Sequence, residues 1–357
     1  MTLSSDSFSR LVSQARHDVV PIERRTLITP ASPLPSTPAE EILSPRFELY
    51  HSGMSICSNK VRMTLAQLGA SYLSHDVNIK YPAQENYNAA YVRLRLASEV
   101  AQEANLATGY NGGSAVADSG FDALVVPTLV DVKQETVVAD SRLICLYLGE
   151  AVRADGDSAE DLLPEEEQGN VMTQLDLVDR LPQVALLYGA DPDEDRRPAP
   201  MRQAMADVHK FKLAALEQAW APHKGEDSRL DAAFAAKIER ERAAKAFVGT
   251  PEHMRAVIAE TDQLIGGFAA LLANSDGPWC LGETMTLADI FWLVSLFRLE
   301  WLGYGRLWQE QADRQHVTDY AHRGYALESM RTAVIQWPGG YPPSPWVEAW
   351  MAPPAKG

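Results

Sequence analysis

The feature that most limits the fold of this chain is a change of periodicity near Ala151. Before it, short apolar runs flank helical patterns. After it the strand signals stop, and Ala, Leu, Glu, Gln and Arg recur at helical spacing almost to the end. "RFELYHSG" reads as a strand ending at Gly53. "CSNKVRMTLAQLG" reads as a helix with Val61, Leu65 and Leu68 on one face and Gly69 as its stop, and "SYLSHDVNI" as a second strand. Strand, helix, strand opens a βαβ unit. "LVVPTLVDVKQETVVADSRLICLYLGEA" adds a strand from Pro127 to Asp131, a strand from Thr136 to Ala139 and a helix from Asp140. Pro127 either opens its strand, where a sheet tolerates proline, or sits in a cis bond just before it. The expected class is α/β followed by all-α.

The remaining segments set the expected boundaries. Residues 1–45 contain the Pro- and Ser-rich "TPASPLPSTPAEEILSP" and read as an extended arm. The first domain covers 46–150, with mixed signals at 81–123 that read as a long insertion. A polar linker precedes an all-helical domain at 165–335, and 336–357 reads as an irregular tail because "IQWPGGYPPSPW" cannot be helical. Within the helical domain, "MTLADIFWLVSLFRLEWLG" is apolar on nearly every face and is expected to be buried. Its opening Thr286 and Asp289 have the spacing of a capping box. Trp292, Phe297, Trp301 and Tyr304 concentrate aromatic surface there, as core or as the wall of a pocket for a flat ring.

Composition excludes several functions. A net charge of −16 repels nucleic acid and anionic lipid. Three cysteines, Cys57, Cys145 and Cys280, do not make a disulfide framework and suit a reducing compartment. No apolar leader stands at the N-terminus, and the most apolar run, Ile290 to Phe297, is too short to span a bilayer, so a cytoplasmic protein is expected. The eight His show no metal-binding spacing. "DPDED" at Asp191 imitates a calcium loop but has Arg196 and Arg202 where Gly and Glu are needed, so no metal site is expected.

Cys57 stands where the first strand turns into a helix. An ordinary thiol of pKa about 8.5 is only a few per cent ionised at neutral pH, and lowering it by two units requires about 2.7 kcal/mol. A helix N-terminus supplies about 0.3–1 kcal/mol, or about 2 when partly buried, so the dipole alone falls short. Lys60, one turn on, can add charge. A disulfide reductase would carry its second cysteine at that position, so a reactive Cys57 must be released by a thiol from solution. The other reading of Cys57 is a small apolar residue at a helix start. Ser55 is equally suited to cap that helix, and Ser58 is a second candidate. Cys145 in "LICLYL" and Cys280 in "GPWCLGE" read as structural.

Taken together, the helix-start Cys, the "VVPTLV" strand, the Asp-Ser pair and "TLAD" in a buried helix resemble the cytosolic glutathione transferase superfamily over roughly residues 46–335. "MSICS", the long arm, "YVRLRL", "LLYGADPD", "DRRP" and "IQWPG" are most similar to the tetrachlorohydroquinone and 2,5-dichlorohydroquinone reductive dehalogenases. The resemblance implies a thioredoxin-like domain with a mixed four-stranded sheet, followed by a helical bundle. It implies glutathione as co-substrate and a halogenated hydroquinone as substrate. Cys57 would form a mixed disulfide with glutathione, and Ser55 would donate to the glutathione thiolate. Val126, beside a cis Pro127, would pair with its cysteinyl backbone, and Asp140 and Ser141 would meet its γ-glutamyl end. Lys60 joins this set as a cation beside the thiols. Family members are usually homodimers, so a homodimer is one expectation; the arm and the insertion blocking that interface is the other. Two other activities fit the same residues: a thiol transferase or lyase of glutathionyl adducts, and an interaction module without catalysis.

Overall fold

The computed structural model describes residues 4–35, 45–115, 120–156 and 161–352. Parts of the expected arm (36–44), insertion (116–119), linker (157–160) and tail (353–357) lie outside the described residues. The N-terminal half runs α1 (Ser5–Asp18), β1 (Arg25–Ile28), β2 (Phe47–His51), α2 (Ile56–Gln67), β3 (Tyr72–Asp76), α3 (Ala89–Leu96), α4 (Val100–Glu103), β4 (Asn105–Leu106), β5 (Gly120–Phe121), β6 (Thr128–Asp131), β7 (Thr136–Ala139) and α5 (Ser141–Asp155). Helices alone follow: α6 (Gln168–Arg180), α7 (Gln183–Tyr188), α8 (Ala199–Ala206), α9 (Val208–Trp220), α10 (Ser228–Val248), α11 (Pro251–Ala273), α12 (Leu287–Trp301), α13 (Arg306–Gln309), α14 (Gln315–Tyr325), α15 (Glu328–Met330) and α16 (Glu348–Met351).

The main sheet has the order β1-β3-β2-β6-β7. Strands β2 and β3 are parallel and the other neighbours antiparallel, so the sheet is mixed as expected. Successive side chains of β2 point to opposite faces. Phe47 and Leu49 enter the core shared with α2, α5 and the helical bundle, while Tyr50 enters a second core with Phe8, Val12, Ala15, Tyr91 and Leu94. Both faces of β2 are therefore covered, and all five of its residues are buried. Gly69 takes φ +65° and ends the α2 segment, a conformation that glycine adopts without steric penalty.

In the bundle, α12 is buried along its whole length behind the Thr286–Asp289 capping box. Helix α11 is long and apolar enough to cross a membrane by length and composition. Here it turns Met254, Val257, Ile265 and Phe268 into the bundle core. The tail is largely irregular, with Trp337, Tyr341 and Val347 buried and only the short α16 helical.

The N-terminal segment differs from the extended arm expected of it. Phe8, Val12 and Ala15 recur at helical spacing and dock α1 on the second core. Strand β1 then pairs antiparallel with β3, from Arg25↔His75 to Ile28↔Tyr72, and makes the sheet five-stranded instead of four. This addition covers a strand edge that would otherwise be open for pairing. Arg16 of α1 reaches across to Glu48, which is buried in β2 and also bonded by His75 Nε2 at 2.9 Å. The downstream prolines, which suggested an arm, follow this docked segment.

Burial by itself pushes the Glu48 carboxyl up, but the hydrogen bonds from His75 and Arg16 prevail and hold it at about 2 instead of 4.5. A depressed carboxyl stabilises the fold above its unfolded value, and this stability is lost as pH falls through the folded value. Glu48 thus supports the fold by about 3 kcal/mol at neutral pH, an amount withdrawn between about pH 4.5 and about 2. Arg16 is a third exposed, so Arg16→Met is expected to destabilise by about 2 kcal/mol. Urea denaturation should show this deficit at pH 7 and its narrowing at pH 3. A variant as stable as the native chain at pH 7 would remove Glu48–Arg16 as the anchor of α1.

Candidate active site

Three loops meet at one end of the sheet. The β2–α2 loop follows His51; Tyr50, just before it, pairs with Thr128, and Thr128 in turn pairs with Ala139. The register therefore brings Val126–Pro127 and Asp140–Ser141 beside the start of α2. The residues singled out in these three segments are assembled at one place, although 86 positions separate Ser55 from Ser141.

Ser55 is the N-cap of α2, its Oγ accepting from Ser58 N at 3.3 Å. The Ser58 hydroxyl is spent inside the loop, accepting from Ser52 N at 3.2 Å. Cys57 lies in the first turn, part-exposed and packed on the main core. The Val126–Pro127 bond is cis. Tyr91 donates to the Val125 carbonyl at 2.8 Å and Arg95 donates to that of Pro127. The intervening N–H and C=O of Val126 have no protein partner among the described residues. Asp140 caps α5, accepting from Arg142 N at 2.9 Å and Leu143 N at 3.4 Å. Its φ of +79° is a left-handed conformation that a residue with a Cβ rarely adopts. Ser141 is buried beside Cys57, and its hydroxyl favours the ionised form of that sulfur.

Lys60 is enclosed between the domains. Its Nζ lies 3.7 Å from Asp179 Oδ1 of α6 and 4.2 Å above the Phe291 ring of α12. Arg142, the residue after Ser141, also pairs with Asp179, at 3.4 Å, and with Asp176. Sequence reasoning missed Asp179 and Arg142. Arg142 was adjacent to a recognised pair, but nothing in the helical pattern marks Asp179. Missed too was the support under the loop. Arg62 and Arg298 bind the carbonyls of Ser52, Gly53 and Met54, and Asn59 donates to Tyr341 at 2.8 Å. A Cβ on Gly53 would come within 2.9 Å of the backbone at 338–340, so only glycine lets the tail approach this loop so closely. Trp292, Phe297, Trp301 and Tyr304 are all buried. Phe297 and Trp301 pack edge-on against Tyr341, each at 5.0 Å. Cys145 and Cys280 are buried as expected, and no group of three metal-binding side chains occurs among the described residues.

The electrostatics at Cys57 depart from the sequence expectation. Burial pushes the thiol up; Lys60 and the Ser141 hydroxyl pull it down; Asp140 and Asp179 push it up again. The net direction is upward. The helix dipole and Lys60 were visible in the sequence, whereas the desolvation and the two carboxylates were not. Alkylation of Cys57 by iodoacetamide in the glutathione-free protein, followed by peptide mass spectrometry, is expected to rise with pH to a midpoint above that of an unstructured cysteine peptide. A midpoint at or below that of the peptide would contradict this balance.

The family model of the glutathione S-transferase N-terminal domain matches residues 54–151, which hold Ser55, Cys57, Lys60, Val126, Pro127, Asp140 and Ser141. The 2,5-dichlorohydroquinone reductive dechlorinase of Sphingobium indicum is 43% identical over 343 residues, which are 96% of this chain and 97% of that one. Among solved structures, the β-etherase LigF of Sphingobium sp. strain SYK-6 superposes with a TM-score of 0.53 at 16% identity, covering 81% of this chain and 98% of its own. Glutathione S-transferase III in its apo form gives 0.51 at 15% identity, covering 84% and 100%. At such identities the two structures speak for the fold alone. Extended identity to the dechlorinase, together with a thioredoxin-like domain joined to a helical bundle, establishes that this chain belongs to the glutathione S-transferase family.

Proposed function

We propose that this protein is a glutathione-dependent reductive dehalogenase of a halogenated hydroquinone. The observation that carries the reading is the meeting of Cys57 with Ser141 and the unpaired Val126 backbone at one end of the sheet. It occurs in a chain 43% identical over 96% of its length to a dichlorohydroquinone dechlorinase. Glutathione suits this place for physical reasons. The free Val126 N–H and C=O offer the two bonds that an extended peptide makes to a strand. The N-terminus of α5 and Ser141 suit the γ-glutamyl carboxylate, and Asp140 its ammonium group. Ser55 is poised to donate to the glutathione sulfur, and Lys60 lends positive charge to the thiols.

The chemistry follows in balanced steps. Glutathione thiolate adds to the halogen-bearing carbon of the ketone tautomer of the ring, and halide leaves. The Cys57 thiolate attacks the sulfur of the resulting thioether. The carbon–sulfur pair passes to the ring, which takes a proton and departs as hydroquinone. A second glutathione thiolate releases Cys57 from the mixed disulfide as glutathione disulfide. Two thiols are oxidised and one carbon–halogen bond becomes carbon–hydrogen. Covalent capture at Cys57 divides a difficult displacement into easier ones.

Cys57→Ser is expected to release halide from 2,5-dichlorohydroquinone and accumulate the aryl–glutathione thioether without completing turnover. In the native chain, intact-mass spectrometry should find one glutathione on Cys57 during turnover. Formation of the dechlorinated hydroquinone by Cys57→Ser at the native rate would refute the role of Cys57. Thiol exchange on a model disulfide without halide release would favour the transferase reading.

A further inference from the structure

The carboxylate nearest to Lys60 belongs to the other domain. Asp179 ends its turn of α6 with 11% of its side chain exposed, Oδ1 toward Lys60 and Oδ2 toward Arg142. Lys60 makes no closer ionic contact among the described residues, and its ammonium is otherwise covered by the Phe291 ring. Each element around the Cys57 sulfur can be accounted for. Helix α2 supplies Lys60; α5 supplies Asp140, Ser141, Arg142 and the buried Cys145; α6 supplies Asp176 and Asp179; α12 supplies the uncharged Phe291 and Arg298, which donates to the Met54 carbonyl. Lys60 and Arg142 are the cations that meet these carboxylates. Arg142 is shared between Asp176 and Asp179, which leaves Lys60 as the cation that Asp179 restrains.

We propose that Asp179 is a positioning residue: it holds the Lys60 ammonium toward the helical domain and so limits the positive charge that Lys60 presents to Cys57, one turn back on α2. The proposal rests on Cys57 being the nucleophile. Docking of the two domains then sets the reactivity of a residue carried wholly by one of them. Such restraint has a chemical use. Hydroquinones oxidise readily to quinones, which arylate thiolates far faster than thiols. A nucleophile kept protonated in the resting protein is spared that loss.

The test needs neither glutathione nor hydroquinone, so it stands or falls separately from the proposed reaction. The pH dependence of iodoacetamide alkylation at Cys57 would be measured by peptide mass spectrometry in the native chain, Asp179→Asn, Lys60→Met and the double variant. Removing one neighbouring charge is expected to move the midpoint by about one pH unit, downward for Asp179→Asn and upward for Lys60→Met. In the Lys60→Met background, Asp179→Asn should move it less, because no ammonium remains to be redirected. At pH 7, 1,4-benzoquinone should arylate Cys57 of Asp179→Asn about threefold faster, read by the same peptide mass spectrometry. A tenfold gain in thiolate is partly offset by the lower nucleophilicity of a more acidic thiol. An Asp179→Asn midpoint equal to or above the native one overturns the proposal, as does an equal shift in both backgrounds. If Asp179→Asn does not fold, Lys60→Met carries the test: an unmoved midpoint there means that Lys60 does not act on the sulfur, and the proposal fails.

Discussion

The Arg62 guanidinium has five N–H donors, and all five are taken inside the protein. They go to Ala333 O at 2.7 Å, His51 Nδ1 at 3.0 Å, Ser52 O at 3.1 Å, Gly53 O at 3.3 Å and Asn59 Oδ1 at 2.5 Å. One buried cation therefore shapes the loop leading to Cys57, steadies the helix that carries it, and ties both to a segment 271 residues away. Its outer face lies 4.4 Å from the Trp337 ring. Burial draws Arg62 down to about 10, still charged at neutral pH. His51, held neutral by burial and by Arg62, accepts at Nδ1 and offers its other nitrogen to Ser74 Oγ at 2.7 Å. A desolvated charge is tolerated only when its donors are satisfied, so loop and tail must be in place together.

The same reasoning explains the character of the candidate nucleophile. In a thioredoxin-like domain alone, the start of α2 would be open to water, and the helix dipole and Lys60 would both favour the thiolate. The bundle changes this by covering the α2 surface. It brings Asp179 to Lys60, and Asp179 pushes the thiol upward. The bundle thus takes part in setting the chemistry of the site, in addition to any wall it gives a substrate pocket. Ser141 works in the opposite sense, because its hydroxyl favours the ionised form of the sulfur.

Much of the frame was legible from local pattern. The caps at Ser55 and Asp140, the Thr286–Asp289 box and the strands on either side of "KQE" involve residues within a few positions of one another. The cis bond at Pro127 was one of two readings left open. The N-terminal segment was misjudged because its prolines weighed more than the spacing of Phe8, Val12 and Ala15. That spacing was readable, but its destination was not. An amphipathic stripe does not name the surface that it covers, and the Arg16–Glu48 pair spans 32 positions.

By itself the sequence determined the strands and helices of the segment from Phe47 to Asp76 and of that from Thr128 to Asp155, the capped start of α12, and that a cysteine would stand in the first turn of α2. Periodicity, capping and turn preference act over a few residues, so one stretch at a time is enough to read them. The tertiary structure alone decided that the sheet has a fifth strand, that Lys60 faces Asp179, and that the Cys57 thiol is harder to ionise than its helix start suggests. Desolvation and Coulomb forces act through space, and their sign at Cys57 depends on neighbours from α5 and α6 that no local pattern places there.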